Sequence, residues 1–531
     1  MKKYKKFNAE NIKLIKRKNI IKKIITKRLK KVKLGLNHQI KNNPSSKWFK
    51  ILFILYLLLF LLILYFNVFD IKRILNSRKL NYSKYEKKFN NNSTCDLMDP
   101  IYIFNLRLKN KPIEICNSQK TKHICYTNNN GEENFLEFKN GIICTMENII
   151  IDPSKSRQTG FIYKGPVDKK KYGLPRLSKG FFNTKCKINN NIEFKYNKFY
   201  ETYLNAWEYD YNGENEKERL EELAPGKTVF FISRNQDSPN LFHGNCEIIN
   251  VISMLYLFNL SPEEIQVVFM ESIEIEISKD PFYDIYKNII SLGGPPIYLK
   301  NLQKKYKISK AIHVPIIWDS PPFTFIESPK CNYITKTYQL YNDLIDTYMN
   351  LIPFKDTFVS DNETIYYPNL TLKNFFEKKI KFKKRITIQW RKVWPPGRTG
   401  QRRLLYNGQK LADKLSEELP SNILVRLVNT AKLNIKEQIE LMRNTDYFIG
   451  VHGAGLALAI FLPKNSIVNE ILKSKKNYLL STMAWMSGHV TYSDIIKAQG
   501  LNIDGNKYYN FDENDFTQKV IKHMKENNFF D

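Results

Sequence analysis

The stretch NTDYFIGVHGAGLALAIFLPKNSIVNEI, residues 444–471, decides the fold of the C-terminal half of this chain. An apolar run from Tyr447 to Val451 ends at a glycine turn, His452 to Gly455, and a second apolar run begins at Ser466. We predict a strand, a tight turn, a helix over Leu456–Leu462 and a further strand. Backbone N–H groups at such a turn can hold a phosphate, but glycines there can equally serve close packing.

Apolar strands and amphipathic helices alternate on the N-terminal side of this stretch. The predicted strands are KTVFFISR (227–234), IQVVFMES (265–272), SKAIHVPI (309–316), RITIQW (385–390) and NILVRLV (422–428). The predicted helices are Cys246–Leu260, Gly408–Leu419 and Ile435–Arg443, the last capped by Asn434. This alternation predicts an α/β fold of parallel βαβ units, in which ligands bind at the C-terminal ends of the strands. We expect an N-terminal domain over 95–355 with a disulfide-rich start, a linker at about 356–372, and a C-terminal domain over 373–531.

The N-terminal part of the chain predicts a membrane anchor. Residues 1–50 carry 18 Lys and Arg and a single acid, and residues 51–69 form an apolar run in which Asn67 is the one polar member. Such a run is long enough to cross a bilayer as a helix, and the charge asymmetry places residues 1–50 in the cytosol. No small-residue cleavage site follows, which argues against a cleaved signal peptide. We therefore expect a basic cytosolic tail (1–50), a signal-anchor helix (51–69), a stem (70–94) and a lumenal remainder in the Golgi or endoplasmic reticulum.

Charge and cysteine content fit this topology. The net charge of +32 does not indicate a nucleic-acid partner, because much of the excess lies in the predicted tail. All seven cysteines follow the anchor, and an oxidising compartment would pair up to six of them. None has CxxC spacing, so we expect no zinc site. Glycosylation sequons, which give further weak support, begin at Asn81, Asn91, Asn92, Asn259, Asn362 and Asn369.

An arginine-rich segment follows the predicted strand 385–390. Arg391 ends this strand, and a loop with Arg398, Arg402 and Arg403 leads to Asn407 at the start of a helix. A fixed guanidinium stabilises the negative charge that a nucleotide diphosphate develops as it leaves a sugar. The alternative is a solvated basic loop.

A third polar group lies in NLFHGNCEIINV, residues 240–251. His243 and Glu247 are four residues apart, which places both on one side of a helix that begins early enough. Either side chain can take the proton of an attacking acceptor hydroxyl. A purely structural His–Glu pair is the alternative.

Together these segments resemble glycosyltransferase family 61 over about residues 230–475. The matching positions are Asn240, His243, Cys246, Asn250, Arg391, Arg403, Asn407, Glu437-Gln438, His452-Gly453-Ala454-Gly455-Leu456 and Glu470. The chain departs from the family at Glu247, where many members have Asp, and at Ala457-Leu458, where Thr-Asn is usual.

The resemblance implies a GT-B architecture, in which two Rossmann-like domains face each other across a cleft, and inverting transfer from a UDP-sugar. It assigns the diphosphate to Arg391, Arg403 and the turn, and sugar or ribose hydroxyls to Glu470. The donor-binding residues are then Arg391, Arg403, Asn407, His452, Gly453, Ala454, Gly455, Leu456 and Glu470. The candidate catalytic base is His243 or Glu247.

We therefore expect a type II membrane glycosyltransferase that moves GlcNAc or xylose to a glycan or glycoprotein acceptor. This chemistry requires no metal, and assistance by Mn²⁺ is left open. The alternative is a catalytically inactive, membrane-tethered glycan-binding or adhesion protein that keeps the fold. Hydrolysis of a UDP-sugar separates the two, because an inactive protein lacks it.

Overall fold

A computed structural model describes most of the chain from Asp99 onward. The described residues are 82, 99–110, 112–118, 121–126, 142–157, 176–189, 201–210, 220–234, 240–270, 280–316, 334–356, 363–369, 371–373, 381–393, 402–472, 483–484 and 486–531. The predicted tail, anchor and nearly all of the stem lie outside them, as do Cys95, Cys331 and Arg398. No helix formed by the described residues is long and apolar enough to cross a membrane.

A large mixed sheet organises the N-terminal part. The strands there are β1 (Ile113–Asn117), β2 (Lys122–Tyr126), β3 (Ile143–Ile151), β4 (Ser156–Arg157), β5 (Arg176–Leu177), β6 (Phe182–Asn183), β7 (Trp207–Glu208), β8 (Thr228–Ile232), β9 (Ile265–Phe269), β10 (Ile297–Tyr298) and β11 (Tyr306–His313). The main order is β1-β2-β3-β11-β8-β9-β10, with β6 on β3, β7 on β6, and β4 paired separately with β5. Strands β11, β8, β9 and β10 run parallel, whereas β1, β2, β3 and β11 pair antiparallel.

Helices connect and cover these strands. Their bounds are α1 (Pro100–Lys109), α2 (Glu201–Leu204), α3 (Leu241–Leu257), α4 (Tyr283–Ile285, continued by a π-helix over Tyr286–Ile290) and α5 (Lys336–Tyr348), with 3-10 helices at Pro153–Lys155, Pro262–Glu264 and Leu299–Asn301. Helix α3 begins five residues before the predicted start at Cys246. The reason is a cap: the Asn240 side chain accepts the backbone N–H groups of Phe242 and His243.

A second, largely parallel sheet organises the C-terminal part. The strands there are β12 (Ile365–Tyr366), β13 (Lys384–Gln389), β14 (Leu404–Leu405), β15 (Ile423–Val428), β16 (Tyr447–Val451), β17 (Ile467–Leu472), β18 (Val490–Ile495), β19 (Ala498–Ile503) and β20 (Asn506–Phe511). Six form a sheet in the order β12-β15-β13-β16-β17-β18, in which only β12 is antiparallel to its neighbour, and β14-β20-β19 form a small separate sheet. The helices are α6 (Gly408–Glu418), α7 (Ile435–Arg443) and α8 (Glu513–Glu526), with a 3-10 helix at Thr430–Lys432. The prediction of an α/β fold is confirmed.

Two elements of the C-terminal part differ from the prediction. The segment after the glycine turn is a 3-10 helix, Ala454–Phe461, instead of an α-helix over Leu456–Leu462. It ends at Phe461, two residues before Pro463, which has no backbone N–H with which to continue a helix. Strand β12 lies inside the predicted linker and pairs with β15, since Ile365 is buried against the sheet.

Two disulfides lie among the described residues of the N-terminal part. Cys116 on β1 pairs with Cys186, which follows β6, and Cys125 on β2 pairs with Cys144 on β3. Cys246 is buried on α3 and forms no disulfide.

Candidate functional site

Glycines in the turn and in the strand before it leave space for two side chains at the C-terminal end of the neighbouring strand β13. A Cβ atom on Gly453 would lie 1.3 Å from Nη1 of Arg391, and one on Gly455 would lie 1.8 Å from Nε2 of Gln389. A Cβ atom on Gly450 would lie 3.1 Å from Oε1 of the same glutamine. The spacing G-x-x-G-x-G thus follows from packing, the alternative that the sequence left open. The packed groups, however, are polar side chains at the C-terminal end of a strand.

Arg391 is held against the turn that its guanidinium fills. Its Nη1 donates a hydrogen bond of 2.7 Å to the backbone carbonyl of His452. Burial, followed by the positive charge of Arg403, lowers the pKa of Arg391 to about 10. The guanidinium groups of Arg391 and Arg403 therefore lie close enough to repel each other, and burial partly removes both from solvent. Such an arrangement favours a bound anion.

Arg403 takes up a backbone conformation that is unusual for its type. Its φ is +66°, in the left-handed region, which among the described non-glycine residues is otherwise occupied by Asn, Asp and one alanine, Ala224. Burial lowers the pKa of Arg403, whereas Tyr509 and Glu470 act in the opposite direction. An arginine held in a strained conformation beside a second arginine indicates a functional constraint.

His452 and Glu470 form a pair across β16 and β17. The ring Nδ1 of His452 is hydrogen-bonded to Oε1 of Glu470, and the hydroxyl of Ser493 on β18 donates to Oε2 at 3.5 Å. The Glu470 side chain is 2% exposed, and that of His452 is 16% exposed. The carboxylate of Glu470, which the family resemblance assigns to sugar or ribose hydroxyls, is hydrogen-bonded here to the imidazole of His452.

The side chain of Asn407 is hydrogen-bonded to the backbone of β20. Its Nδ2 donates to the carbonyl of Phe511 at 2.8 Å, and its Oδ1 accepts the N–H of Phe511 at 3.1 Å. The side chain is buried and precedes the first turn of α6. This predicted donor-binding residue therefore joins α6 to the small sheet.

Two other amides that match the family pattern bond to backbone carbonyls. Nδ2 of Asn250 donates to the carbonyls of Pro315 and Ile316, which follow β11. Nε2 of Gln438 donates to the carbonyls of Thr430 and Leu433, which follow β15. These side chains fix loops that follow strands.

In the rest of the turn Gly453 and Leu456 are buried, whereas Ala454 and Gly455 are partly exposed. Ala454 begins the 3-10 helix, and Leu456, 1% exposed, donates its N–H to the carbonyl of Gly453. Ala457 and Leu458, where the chain departs from the family pattern, have no exposed surface. This departure therefore changes the packing of the 3-10 helix.

His243 and Glu247 lie in the first turns of α3, as their spacing predicted. Glu247 is buried, at 3% exposed, and His243 is half-buried. Helix α3 packs directly against the 3-10 helix Ala454–Phe461. The structure thus brings the two segments that match the family pattern against each other.

Helix α5 joins the same two elements, and its role was missed from the sequence. The Tyr341 hydroxyl donates to Oδ1 of Asn245 on α3 at 3.1 Å, and Nδ2 of Asn342 donates to the carbonyl of Ile460 at 3.1 Å. Gln389 was missed as well. Its signal is a polar residue two positions before Arg391, on the same side of the extended chain.

One group among the described residues has the spacing of a metal site. Ligand atoms of His123, Cys125 and Cys144 lie within 4.8 Å of one another. The two cysteines form a disulfide, so neither sulfur is a thiolate ligand while this bond is intact.

Comparison with known proteins identifies the family of the region that contains this site. Residues 311–469 match the family model Glycosyltransferase 61. The matched region runs from the end of β11 into β17. It includes Arg391, Arg403 and the turn, and it ends one residue before Glu470. The chain therefore carries a glycosyltransferase family 61 domain.

The chain is also similar in sequence to a particular glycosyltransferase. The chain is 22% identical over 311 residues to an EGF domain-specific O-linked N-acetylglucosamine transferase of Drosophila melanogaster. The alignment covers 56% of this chain and 52% of that protein, so the chain matches about half the length of its relative.

Proposed function

We propose that this protein is an inverting glycosyltransferase that moves a sugar from a UDP-sugar to a glycan or glycoprotein acceptor. The observation that carries the proposal is a pair of cations whose charges oppose each other, Arg391 and Arg403. Arg391 follows β13 and fills the space beside Gly453, and Arg403 directly precedes β14. A diphosphate satisfies both cations at once. The name of the relative supports N-acetylglucosamine as the first sugar to test, with xylose second.

In the proposed reaction, an acceptor hydroxyl attacks the anomeric carbon and the bond from that carbon to the diphosphate breaks. The two guanidinium groups neutralise the charge that develops on the leaving diphosphate. His243 or Glu247 takes the proton of the acceptor, a role supported by the packing of α3 against the 3-10 helix after the turn. The arginine pair supplies enough positive charge for this step, so we expect activity to persist in EDTA.

The proposed architecture is GT-B. Each part of the chain has a sheet with adjacent parallel strands, and the C-terminal sheet carries the proposed donor site at its strand ends. We also propose that the catalytic part is lumenal, in the Golgi or endoplasmic reticulum, behind the predicted anchor 51–69.

The test uses a matched pair of arginine variants. Arg403→Asn removes the cation but keeps a residue that tolerates the left-handed conformation, so the backbone need not change. We expect UDP affinity, measured by isothermal titration calorimetry, to fall roughly tenfold or more, since a charged hydrogen bond contributes about 1.5–3 kcal/mol. Arg402→Asn, at the exposed neighbour, serves as the control and should change affinity far less.

Unchanged UDP affinity in Arg403→Asn would remove the basis of the proposal. A wild-type protein that binds UDP-sugars but neither hydrolyses nor transfers them would instead support the alternative of an inactive glycan-binding protein. Product analysis after incubation with UDP-GlcNAc and UDP-xylose separates these outcomes.

A further inference from the structure

The first turn of α3, which carries His243, packs on one side against the ring of Phe282. A Cβ atom on Gly244 would lie 2.0 Å from Cε2 and 2.5 Å from Cζ of this ring. Gly244 directly follows His243, and both Gly244 and Phe282 are buried. The helix therefore approaches the ring more closely than a residue with a side chain would allow.

A buried ion pair holds the segment that carries Phe282. Arg234, two residues after β8, donates to Oδ2 of Asp280 at 2.5 Å, and the two side chains are 1% and 0% exposed. The Tyr298 hydroxyl on β10 donates to the same oxygen at 3.2 Å, and Oδ1 accepts the backbone N–H of Phe282 at 3.0 Å. The guanidinium carbon also lies 3.8 Å from the centre of the Phe269 ring on β9. This segment is therefore fixed to three strands of the N-terminal sheet, because a buried ion pair is costly to break.

The next residue of α3, Asn245, is held from another side by α5. Its Oδ1 accepts the Tyr341 hydroxyl at 3.1 Å, and its Nδ2 donates to the carbonyl of Leu241 at 2.7 Å. The Tyr341 ring meets that of Phe461, the last residue of the 3-10 helix after the glycine turn, with centroids 5.6 Å apart. The two residues that follow His243 are thus held between the N-terminal sheet and the elements beside the proposed donor site.

We propose that Phe282 is a positioning residue for glycosyl transfer. Its ring fixes where the first turn of α3 lies, and with it the places of His243 and Glu247 relative to the donor. This inference rests on the proposed function. The base must lie within hydrogen-bond distance of the acceptor hydroxyl when that hydroxyl attacks. A displacement of about 1 Å in such a geometry can lower the rate by about a hundredfold.

The experiment enlarges Gly244 and then makes room for the change. Gly244→Ala places a methyl group inside the ring of Phe282, so the start of α3 must shift. We expect kcat for hydrolysis of UDP-GlcNAc or UDP-xylose, with water as the acceptor, to fall roughly tenfold or more. Calorimetric affinity for UDP should stay within about twofold, since the arginines are untouched.

A second substitution tests whether the ring causes the loss. Phe282→Leu removes Cε2 and Cζ, so the double variant with Gly244→Ala should recover most of the lost rate. This recovery is the non-additivity expected of two residues in contact. Phe282→Leu alone creates no clash but loosens the support of α3, and it should lower kcat several-fold with UDP affinity kept.

Gly294→Ala is the matched control for the glycine substitution. Its Cβ would lie 2.3 Å from Oε1 of Gln266, a similar clash with a buried side chain. Gln266 lies near the N-terminal end of β9, whereas α3 begins after the C-terminal end of the parallel strand β8. The two clashes therefore lie at opposite edges of these strands. Gly294→Ala should lower thermal stability about as far as Gly244→Ala while keeping kcat.

The outcomes separate the two proposals. Equal losses of kcat in Gly244→Ala and Gly294→Ala, or a double variant no faster than Gly244→Ala, would overturn this inference and leave the proposed function intact. If Gly244→Ala does not fold, Phe282→Leu decides, and an unchanged kcat in that variant would overturn the inference as well. A wild-type protein that hydrolyses neither UDP-sugar would contradict the proposed function itself, and this inference with it.

Discussion

At the scale of single residues, Gly453 is required by the guanidinium of Arg391, which fills the space of a side chain. Gly453→Ala places a methyl group 1.3 Å from the present position of Nη1, so the arginine must leave the turn. We expect UDP affinity to fall about as far as in Arg391→Ala, with the fold retained. Calorimetry of both single variants and the double variant measures this, and the double variant should be no weaker than Arg391→Ala.

Gly450→Ala, in β16 just before the turn, is the matched control. Its Cβ would lie 2.9 Å from the flexible end of Leu456, which can move, and it does not approach Arg391. It should therefore keep most of the UDP affinity. Equal losses of UDP affinity in Gly450→Ala and Gly453→Ala would show that the glycines maintain the conformation of the turn and are not needed specifically to make room for Arg391.

The sequence predicted which residue types gather at this site but not how they pair. Arg391, His452 and Glu470 were all expected near the C-terminal ends of strands. In the structure Arg391 follows β13, His452 follows β16 and Glu470 lies in β17. The contact between Glu470 and His452 was not predicted. It depends on the lateral pairing of β16 with β17, which joins residues 18 positions apart.

At the scale of elements, Asn407 ties the start of α6 to the end of β20. Asn407→Ala leaves the N–H and carbonyl of Phe511 without their partner in a buried place. We expect a loss of about 1–3 kcal/mol in the free energy of unfolding. Urea unfolding followed by circular dichroism measures this, and UDP affinity of the folded protein should stay within about twofold of the wild type, well under the tenfold that 1.4 kcal/mol represents.

Asn502→Ala, on the exposed face of β19, is the control and should change stability by no more than about 0.5 kcal/mol. If Asn407→Ala kept full stability but lost UDP affinity, Asn407 would instead be a donor-binding residue, as the family resemblance implies.

At the scale of the whole molecule, buried histidines make stability depend on pH. Burial lowers the pKa of His123 and of His313 to about 3, and that of His489 to about 4. These values lie below the ordinary value near 6.5, so between the two values the unfolded chain binds more protons than the folded chain. Stability is therefore full above about pH 6.5 and falls as pH decreases, by up to about 1.4 kcal/mol per pH unit for each histidine.

Urea unfolding at pH 7.5, 6.5 and 5.5 measures this dependence. His313→Gln should flatten it, because one of the three groups no longer titrates in the unfolded chain. The carboxyl of Asp99 acts in the opposite sense: burial raises its pKa, so its contribution to stability is lost as pH rises through the raised value. Equal stability at pH 7.5 and 5.5 would contradict the prediction.

The sequence alone determined the local features of this protein: the order of strands and helices, the cap of α7 by Asn434, and the polar residues at strand ends. These depend on neighbours a few positions apart, so apolar periodicity and capping chemistry are enough to predict them. Only the tertiary structure decided that Gln389 and Arg391 fill the glycine turn and that α3 packs on the helix after it. Those contacts join residues more than 60 positions apart, and they follow from strand register and side-chain volume, which a local pattern does not contain.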